Sequence, residues 1–235
     1  MYVYGKNVAK ELLKNNRKLN KVILATNFND EEIMNLLKDK KVLVDYLEKY
    51  KLDQIEKGNH QGIILEIEDY RYINEKEMIN NLPSNPFIVI LDHLEDPHNF
   101  GAIIRTCEAA GVDYIIIPKD RSVSVNSTVM KTSTGALDNI KIVEVTNLNN
   151  VITKLKSNGI WVVGTDMENS QPYDKIDYKT PTAIVIGSEG FGMSALVKKN
   201  CDFIARIPMY GKINSLNASV AAGIMIYEVV RQRNN

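Results

Sequence analysis

The residues able to do chemistry gather in three loops, each just after an apolar run. In LDHLEDPHNFGAIIRT (91–106), Pro97 and Gly101 fix a tight strand-to-helix turn, and Asn99 sits where a helix cap would. One turn into the helix, Arg105 interrupts the small, apolar stretch AIIRTCEAAG. A guanidinium carries a fixed fork of donors that needs oxygen partners, so Arg105 serves either a structural ion pair or a phosphate. In IVIGSEGFGM (184–193), Gly187, Gly190 and Gly192 could suggest a phosphate cradle. The Gly-Lys-Ser/Thr of a Walker loop is absent, however, and the spacing misses G-x-G-x-x-G. Glu189 would repel phosphate. The loop suits close backbone approach to a neutral or cationic ligand, or else a glycine-rich turn capping the next helix. In ARIPMYGKINSLNASVAAGIMIYEVV (205–230), Pro208 and Gly211 make a bend, and Asn214, Ser215 and Asn217 cluster before Ala218, Ser219, Ala221, Ala222 and Gly223. Small residues on a helix face admit another backbone or a ligand; a capped, tightly packed terminal helix has the same pattern.

Other chemistries find little support. Cys107 and Cys201 have no CxxC partner, and His60, His93 and His98 lack ligand spacing such as HExxH. Neither a zinc site nor a disulfide scaffold is expected, and the thiols read as reduced space-fillers.

The elements that must position these loops form an α/β pattern. Apolar runs at 87–92, 113–118, 141–145, 160–165, 182–187 and 203–208 read as strands. Helices are expected near 99–110, 148–157, 192–199 and 217–232. Alternation of this kind predicts an open, mostly parallel sheet covered on both faces, with ligands beyond the carboxyl ends of its strands. The first 70 residues form a smaller α/β unit: a helix over Gly5–Asn16, strands at Lys21–Ala25, Lys41–Val44 and 62–67, a helix from Asp30 to Leu37, and a helix over 46–56. The polar, Asn-rich stretch ending in Pro83 and Pro86 reads as the boundary. The expected organisation is residues 1–70, a linker over 71–86, and a second domain over 87–235.

Composition (44% hydrophobic, 25% charged) is that of a globular protein, with material for a core. No window approaches the roughly 20 apolar residues of a membrane span. The start lacks a secretory signal, which reads as cytosolic. Net charge is zero, with 29 basic and 29 acidic residues, mild evidence against a dedicated nucleic-acid binder. Yet Lys6, Lys10, Lys14, Arg17, Lys18 and Lys21 face only Glu11 within the first 21 residues. Screening makes such clustering matter more than the total, whether it serves RNA or is a solvated helix face.

Taken in order, DPHNFGAIIRT, IVIGSEGFGM and IPMYGKINSLNASVAAGI strongly resemble the three signature motifs of the SpoU (TrmH-type) ribose methyltransferases of the SPOUT superfamily. MKTSTGAL (130–137) fits the small-residue segment of that group, and YGKNVAKELL with HQGI (60–63) resembles the ribosomal-protein-like RNA-binding domain of its RlmB branch. The resemblance implies a C-terminal SPOUT domain with a deep trefoil knot, although chains are in general unknotted. It implies S-adenosylmethionine as cofactor, no metal, no membrane, and a homodimer whose sites draw on both subunits. Asn99 and Arg105 match the first motif, Glu189 the second, and Ser215 and Asn217 the third. Gly187, Ile207 and Leu216 fall at cofactor positions, with Thr165 a further neighbour.

By that resemblance Arg105 contacts the target nucleotide and assists loss of the 2′-hydroxyl proton. A guanidinium is a poor base, so it would stabilise the alkoxide or pin a phosphate whose oxygen takes the proton. Glu189 would orient Arg105 or its loops. Lys6, Lys10, Arg17, Lys18 and Lys21 would meet phosphates of structured RNA, and His60 and Gln61 a base or sugar, unless His60 is buried or capping. The size of the front unit favours a guanosine of 23S ribosomal RNA. Rivals are a tRNA ribose methyltransferase, a non-catalytic ribosome-assembly factor, and a nicotinamide enzyme, the last lacking its glycine fingerprint.

Overall fold

The protein was described from a computed structural model covering residues 1–15, 18–213 and 215–234. It divides into two compact units: Met1–Arg71 with Val125–Ser127, and Tyr72–Ser124 with Thr128–Asn235.

The first unit runs β1 (Tyr2–Tyr4), α1 (Lys6–Lys14), β2 (Leu19–Ala25), α2 (Glu31–Lys38), β3 (Leu43–Leu47), α3 (Lys49–Ile55) and β4 (Ile63–Ile67). The sheet order is β1-β4-β2-β3, with β2 and β3 parallel and the pairs involving β4 antiparallel. Val8, Ala9, Leu12 and Leu13 recur at helical spacing and form the buried face of α1. Asp30 caps α2 by accepting from Ile33 N at 3.2 Å. The strand expected at Lys41–Val44 lies two residues later, where Lys21 to Ala25 pair in register with Leu43 to Leu47.

The second unit continues with α4 (Glu75–Asn80), β5 (Phe87–Asp92), α5 (Pro97–Ala109), β6 (Tyr114–Pro118), α6 (Ser127–Ser133), β7 (Lys141–Val145), α7 (Leu148–Ser157), β8 (Trp161–Thr165), β9 (Gln171–Pro172), β10 (Thr182–Gly187), α8 (Ala195–Asn200), β11 (Phe203–Arg206) and α9 (Ala218–Arg233). Its seven strands lie in the order β7-β6-β5-β10-β8-β11-β9, every pair parallel. All six residues of FIVILD are buried, as a central strand covered on both faces requires.

Two expectations change here. The 71–86 segment is not a free connector. Ile73 N donates to Ile142 O at 2.9 Å, and Met78 is buried in the core with Ile88, Ile116 and Val143. A single apolar side chain on a polar helix is enough to anchor it. Gly101, in turn, lies inside α5 rather than at a turn; a Cβ there would stand 2.6 Å from Thr132 Cβ, so it permits close approach.

Burial raises the Cys107 thiol well above its ordinary value and pushes Cys201 up to about 12, as inert packing thiols require. Among the described residues, no helix is long and apolar enough to cross a membrane and no cluster suits a metal.

Candidate cofactor cleft and active site

The strand order brings the three motif loops together. β10, β8 and β11 are neighbours, so the residues following their carboxyl ends share one edge of the sheet. There Thr165, Gly187, Ile207 and Leu216 all line one cleft of about 880 Å³. That lies within the roughly 300–1,000 Å³ usual for cofactor sites. Gly187 is required by packing: a Cβ would lie 2.2 Å from the Gly192 carbonyl carbon and 2.4 Å from Met193 N. The loop 188–192 folds over it, closed by Ser188 N to Gly192 O at 3.0 Å and Gly192 N to Ser188 O at 2.9 Å.

Asn99, Glu189 and Asn217 form one hydrogen-bonded cluster at this cleft. Asn99 Nδ2 donates to Glu189 Oε1 at 2.7 Å. Asn217 Nδ2 donates to the same oxygen at 2.7 Å and to Asn99 Oδ1 at 3.0 Å. Ala218 N also approaches Glu189 Oε1, at 3.4 Å. Asn217 Oδ1 meanwhile caps α9 by accepting from Ser219 N at 2.9 Å and Val220 N at 3.3 Å. One carboxylate thus ties the loops after β5, β10 and β11 together. Asn99 is free for this because Asp96 caps α5 instead, accepting from His98 N at 3.0 Å and Asn99 N at 3.4 Å, with Pro97 in the first turn. The cap expected at Asn99 therefore lies three residues earlier.

Of the other candidates, Ser215 lines the cleft and is exposed. Arg105 does not line it within one chain. Six residues beyond Asn99 on α5, it is turned about 240° around the helix. There it is exposed, without an ion pair or hydrogen bond to a described residue.

The cleft walls combine Ile186, Ile207, Leu216 and Ala221 with Asp166, Glu168 and Glu189. Burial raises the Asp166 carboxyl, but hydrogen bonds from Lys198 and the Glu168 amide outweigh it and leave the group below its usual range. Arg206 is held on Ser170 O. An apolar slot edged by carboxylates fits an uncharged ring joined to a cation, and disfavours a polyphosphate. Asp92 went unassigned in the sequence, although it ends an apolar strand. It is 1% exposed, pairs with His93 Nδ1 at 2.5 Å and accepts from Ser194 N at 2.7 Å, fixing the far end of the β10 loop.

The basic residues of the front unit are mostly engaged. Lys18 pairs with Glu68, Lys21 with Asp45 at 2.5 Å, and Lys10 and Lys14 with Glu32, each at 2.7 Å. Hydrogen bonds to these carboxylates raise the Lys10, Lys18 and Lys21 ammonium groups above their ordinary values. Lys6 lies 3.4 Å from Asp30 and 5.3 Å from the Phe28 ring centre. His60 is 3% exposed: Nδ1 accepts from Gly62 N at 3.0 Å and Nε2 donates to Asp53 at 2.8 Å. The side chain holds its own loop and offers no free edge to a base, which corrects the reading of His60 as an RNA contact. Arg17 and Asn214 lie outside the described residues.

Comparison with known proteins agrees with this geometry. Residues 86–227 match the SpoU rRNA methylase family, and residues 2–73 match the RNA 2′-O ribose methyltransferase substrate-binding domain. YacO of Bacillus subtilis (strain 168), named for the TrmH family of tRNA/rRNA methyltransferases, is 45% identical over 99% of this chain and 96% of its own. The AdoMet-bound rRNA methyltransferase of Sinorhizobium meliloti superposes with TM-score 0.76 at 27% identity, over 98% of this chain and 86% of that one. The SpoU methyltransferase AviRb of Streptomyces viridochromogenes, solved with AdoMet, shares the fold with TM-score 0.82 at 23% identity, over 100% and 91%. The chain belongs to the SpoU rRNA methylase family and is an RNA methyltransferase.

Proposed function

We propose that this chain methylates a ribose 2′-hydroxyl, that of a guanosine in 23S ribosomal RNA, using S-adenosylmethionine and acting as a homodimer. The observation that carries the reading is the convergence of Thr165, Gly187, Ile207 and Leu216 on one cleft whose rim is fixed by Asn99, Glu189 and Asn217. When bound, the cofactor supplies an electrophilic methyl group on a sulfonium centre. The protein's share is alignment, exclusion of water and removal of one proton from the ribose oxygen.

Glu189 positions the loops, and its carboxylate with Asp166 favours the cationic centre. Ser215 stands at the cleft, in reach of a sugar. Arg105 acts from a second copy, holding a phosphate beside the reacting ribose so that a phosphate oxygen accepts the hydroxyl proton. A surface for that copy is present: Val220, Gly223, Ile224 and Tyr227 recur at helical spacing along α9, with Val220 and Tyr227 exposed and Gly223 facing open space. The front unit, of a size with the family's substrate-binding domain, favours ribosomal over transfer RNA.

Mapping 2′-O-methyl positions in total RNA, with and without the protein, tests this. A single guanosine in large-subunit RNA that loses its mark is the expected result. Loss confined to a tRNA would reassign the substrate, and no lost mark would overturn the activity.

A further inference from the structure

We propose that the front unit holds a receiving cleft for one unpaired RNA nucleotide, with its base against Phe28 and the 59–61 turn and its phosphates on Lys49 and Lys57. The inference rests on RNA being the substrate and adds what the front unit selects: a nucleotide splayed out of its helix.

The cleft measures about 610 Å³ and is formed entirely by residues between Lys6 and Gly62. Its volume suits a nucleotide rather than a groove laid along a duplex. Carboxamides supply the polar wall. Asn27 and Asn59 are exposed and have no side-chain hydrogen bond to a described residue. Gln61 Oε1 accepts from Lys6 N at 2.9 Å, which leaves its two amide donors to the cleft. Side-chain amides offer the paired donors and acceptors that match the edge of an unstacked base.

The turn that presents these groups is rigid. His60 is pinned between Asp53 and Gly62 N, as described above. Gln61 and Gly62 then adopt φ of 52° and 82° in succession, a left-handed pair unusual for a glutamine. The Phe28 ring is fixed as well: a Cβ on Gly62 would lie 3.1 Å from its Cδ2, and Lys6 Nζ stands 5.3 Å from its centre. A fixed, half-buried aromatic ring is a platform on which any base can stack.

Charge points the same way. Lys10, Lys14, Lys18 and Lys21 are each paired with an acid. Lys49 and Lys57 are exposed at the cleft, with no acid partner among the described residues. Asp53, the one carboxylate lining the cleft, is held by His60. A chain of zero net charge thus carries a local positive site where a phosphate can sit.

The test uses the full chain without cofactor and two RNA hairpins, one fully paired and one with a single bulged 2-aminopurine. Fluorescence reports stacking of the bulge, and anisotropy reports affinity at several salt concentrations. Wild type should prefer the bulged hairpin about ten-fold, and Phe28→Leu should erase that preference while keeping the salt slope. Lys49→Ala combined with Lys57→Ala should reduce the slope by about 1.4, the share of two phosphate contacts on single-stranded RNA. Both lysines are on the surface, so that variant remains folded; Asn59→Ala replaces Phe28→Leu if the latter melts early. Equal affinity of wild type for both hairpins, or an unchanged salt slope in the lysine variant, would overturn the cleft. Methylation of ribosomal RNA by a wild type indifferent to the bulge would sink the cleft alone; a bulge preference without methyl transfer to any RNA would sink the activity alone.

Discussion

Asn99 and Glu189 stand 90 positions apart in the chain, and their side chains meet at 2.7 Å. Asn217 bonds to both, so three loops share one acceptor oxygen. Replacing Asn99 with Ala leaves the carboxylate short of a donor in a partly buried place. The variant should lose about 1–3 kcal/mol of stability, read by urea denaturation. Its cofactor affinity, measured by calorimetry, should fall with it. Wild-type values for both would show that the cluster positions nothing.

Gly187 and Gly190 separate packing from backbone conformation. Ala at 187 would drive its Cβ into the backbone of Gly192 and Met193, whereas at 190 nothing lies within 4 Å and only a φ of 82° opposes a side chain. Gly190→Ala should therefore cost about 1–2 kcal/mol from the left-handed backbone alone. Gly187→Ala must also displace the loop over the cleft, and should reduce cofactor affinity at least about ten-fold. Equal cofactor affinities for the two variants would contradict this.

The catalytic unit was largely legible because its chemistry follows long apolar strands, and the ends of parallel strands are where ligands bind. Asn99, Glu189 and Asn217 could be picked out in this way. Which of them caps a helix could not, since Asp96 and Asn99 are both capping types and only geometry chooses between them. The front unit was legible as α/β but not in its electrostatics. Lys18 finds Glu68 fifty residues away, and Lys21 finds Asp45 across a strand pair, so counting charge over the first 21 residues overstated a basic patch. Lys49 and Lys57 stand out only once the fold has paired off the others.

Glu228 makes acid stability predictable. It is 7% exposed on α9 and accepts from Arg231 Nε at 2.9 Å, Arg231 Nη2 at 2.7 Å and Gln232 Nε2 at 2.7 Å. The hydrogen bonds from Arg231 lower its folded pKa below the ordinary 4.5, against the opposing effect of burial. A lowered folded value gives stability that is complete above the unfolded pKa and is lost as pH falls through the folded one. Glu228→Gln should thus be less stable than wild type by about 1–2 kcal/mol near neutral pH. The gap should begin to close below pH 4.5 and vanish in stronger acid. A gap of the same size at both extremes would mean that the carboxylate's charge is irrelevant.

Arg105 tests whether the site is shared between copies. It is exposed on α5 and absent from the lining of its own cleft, so its loss should leave folding and cofactor affinity unchanged. If it serves the partner's cleft, Arg105→Ala should reduce methyl transfer by at least about a hundred-fold, the scale of losing one electrostatic stabiliser of developing charge. A second variant, Leu216→Arg, blocks the cleft from an exposed position and is inactive for a different reason. Mixing the two by co-expression places an intact Arg105 opposite an intact cleft in one site of each mixed dimer. With random pairing about one site in four is then whole, and activity should return to roughly that fraction of wild type. If Arg105 instead acted within its own chain, every site in the mixture would carry one defect or the other, and the activity would stay lost.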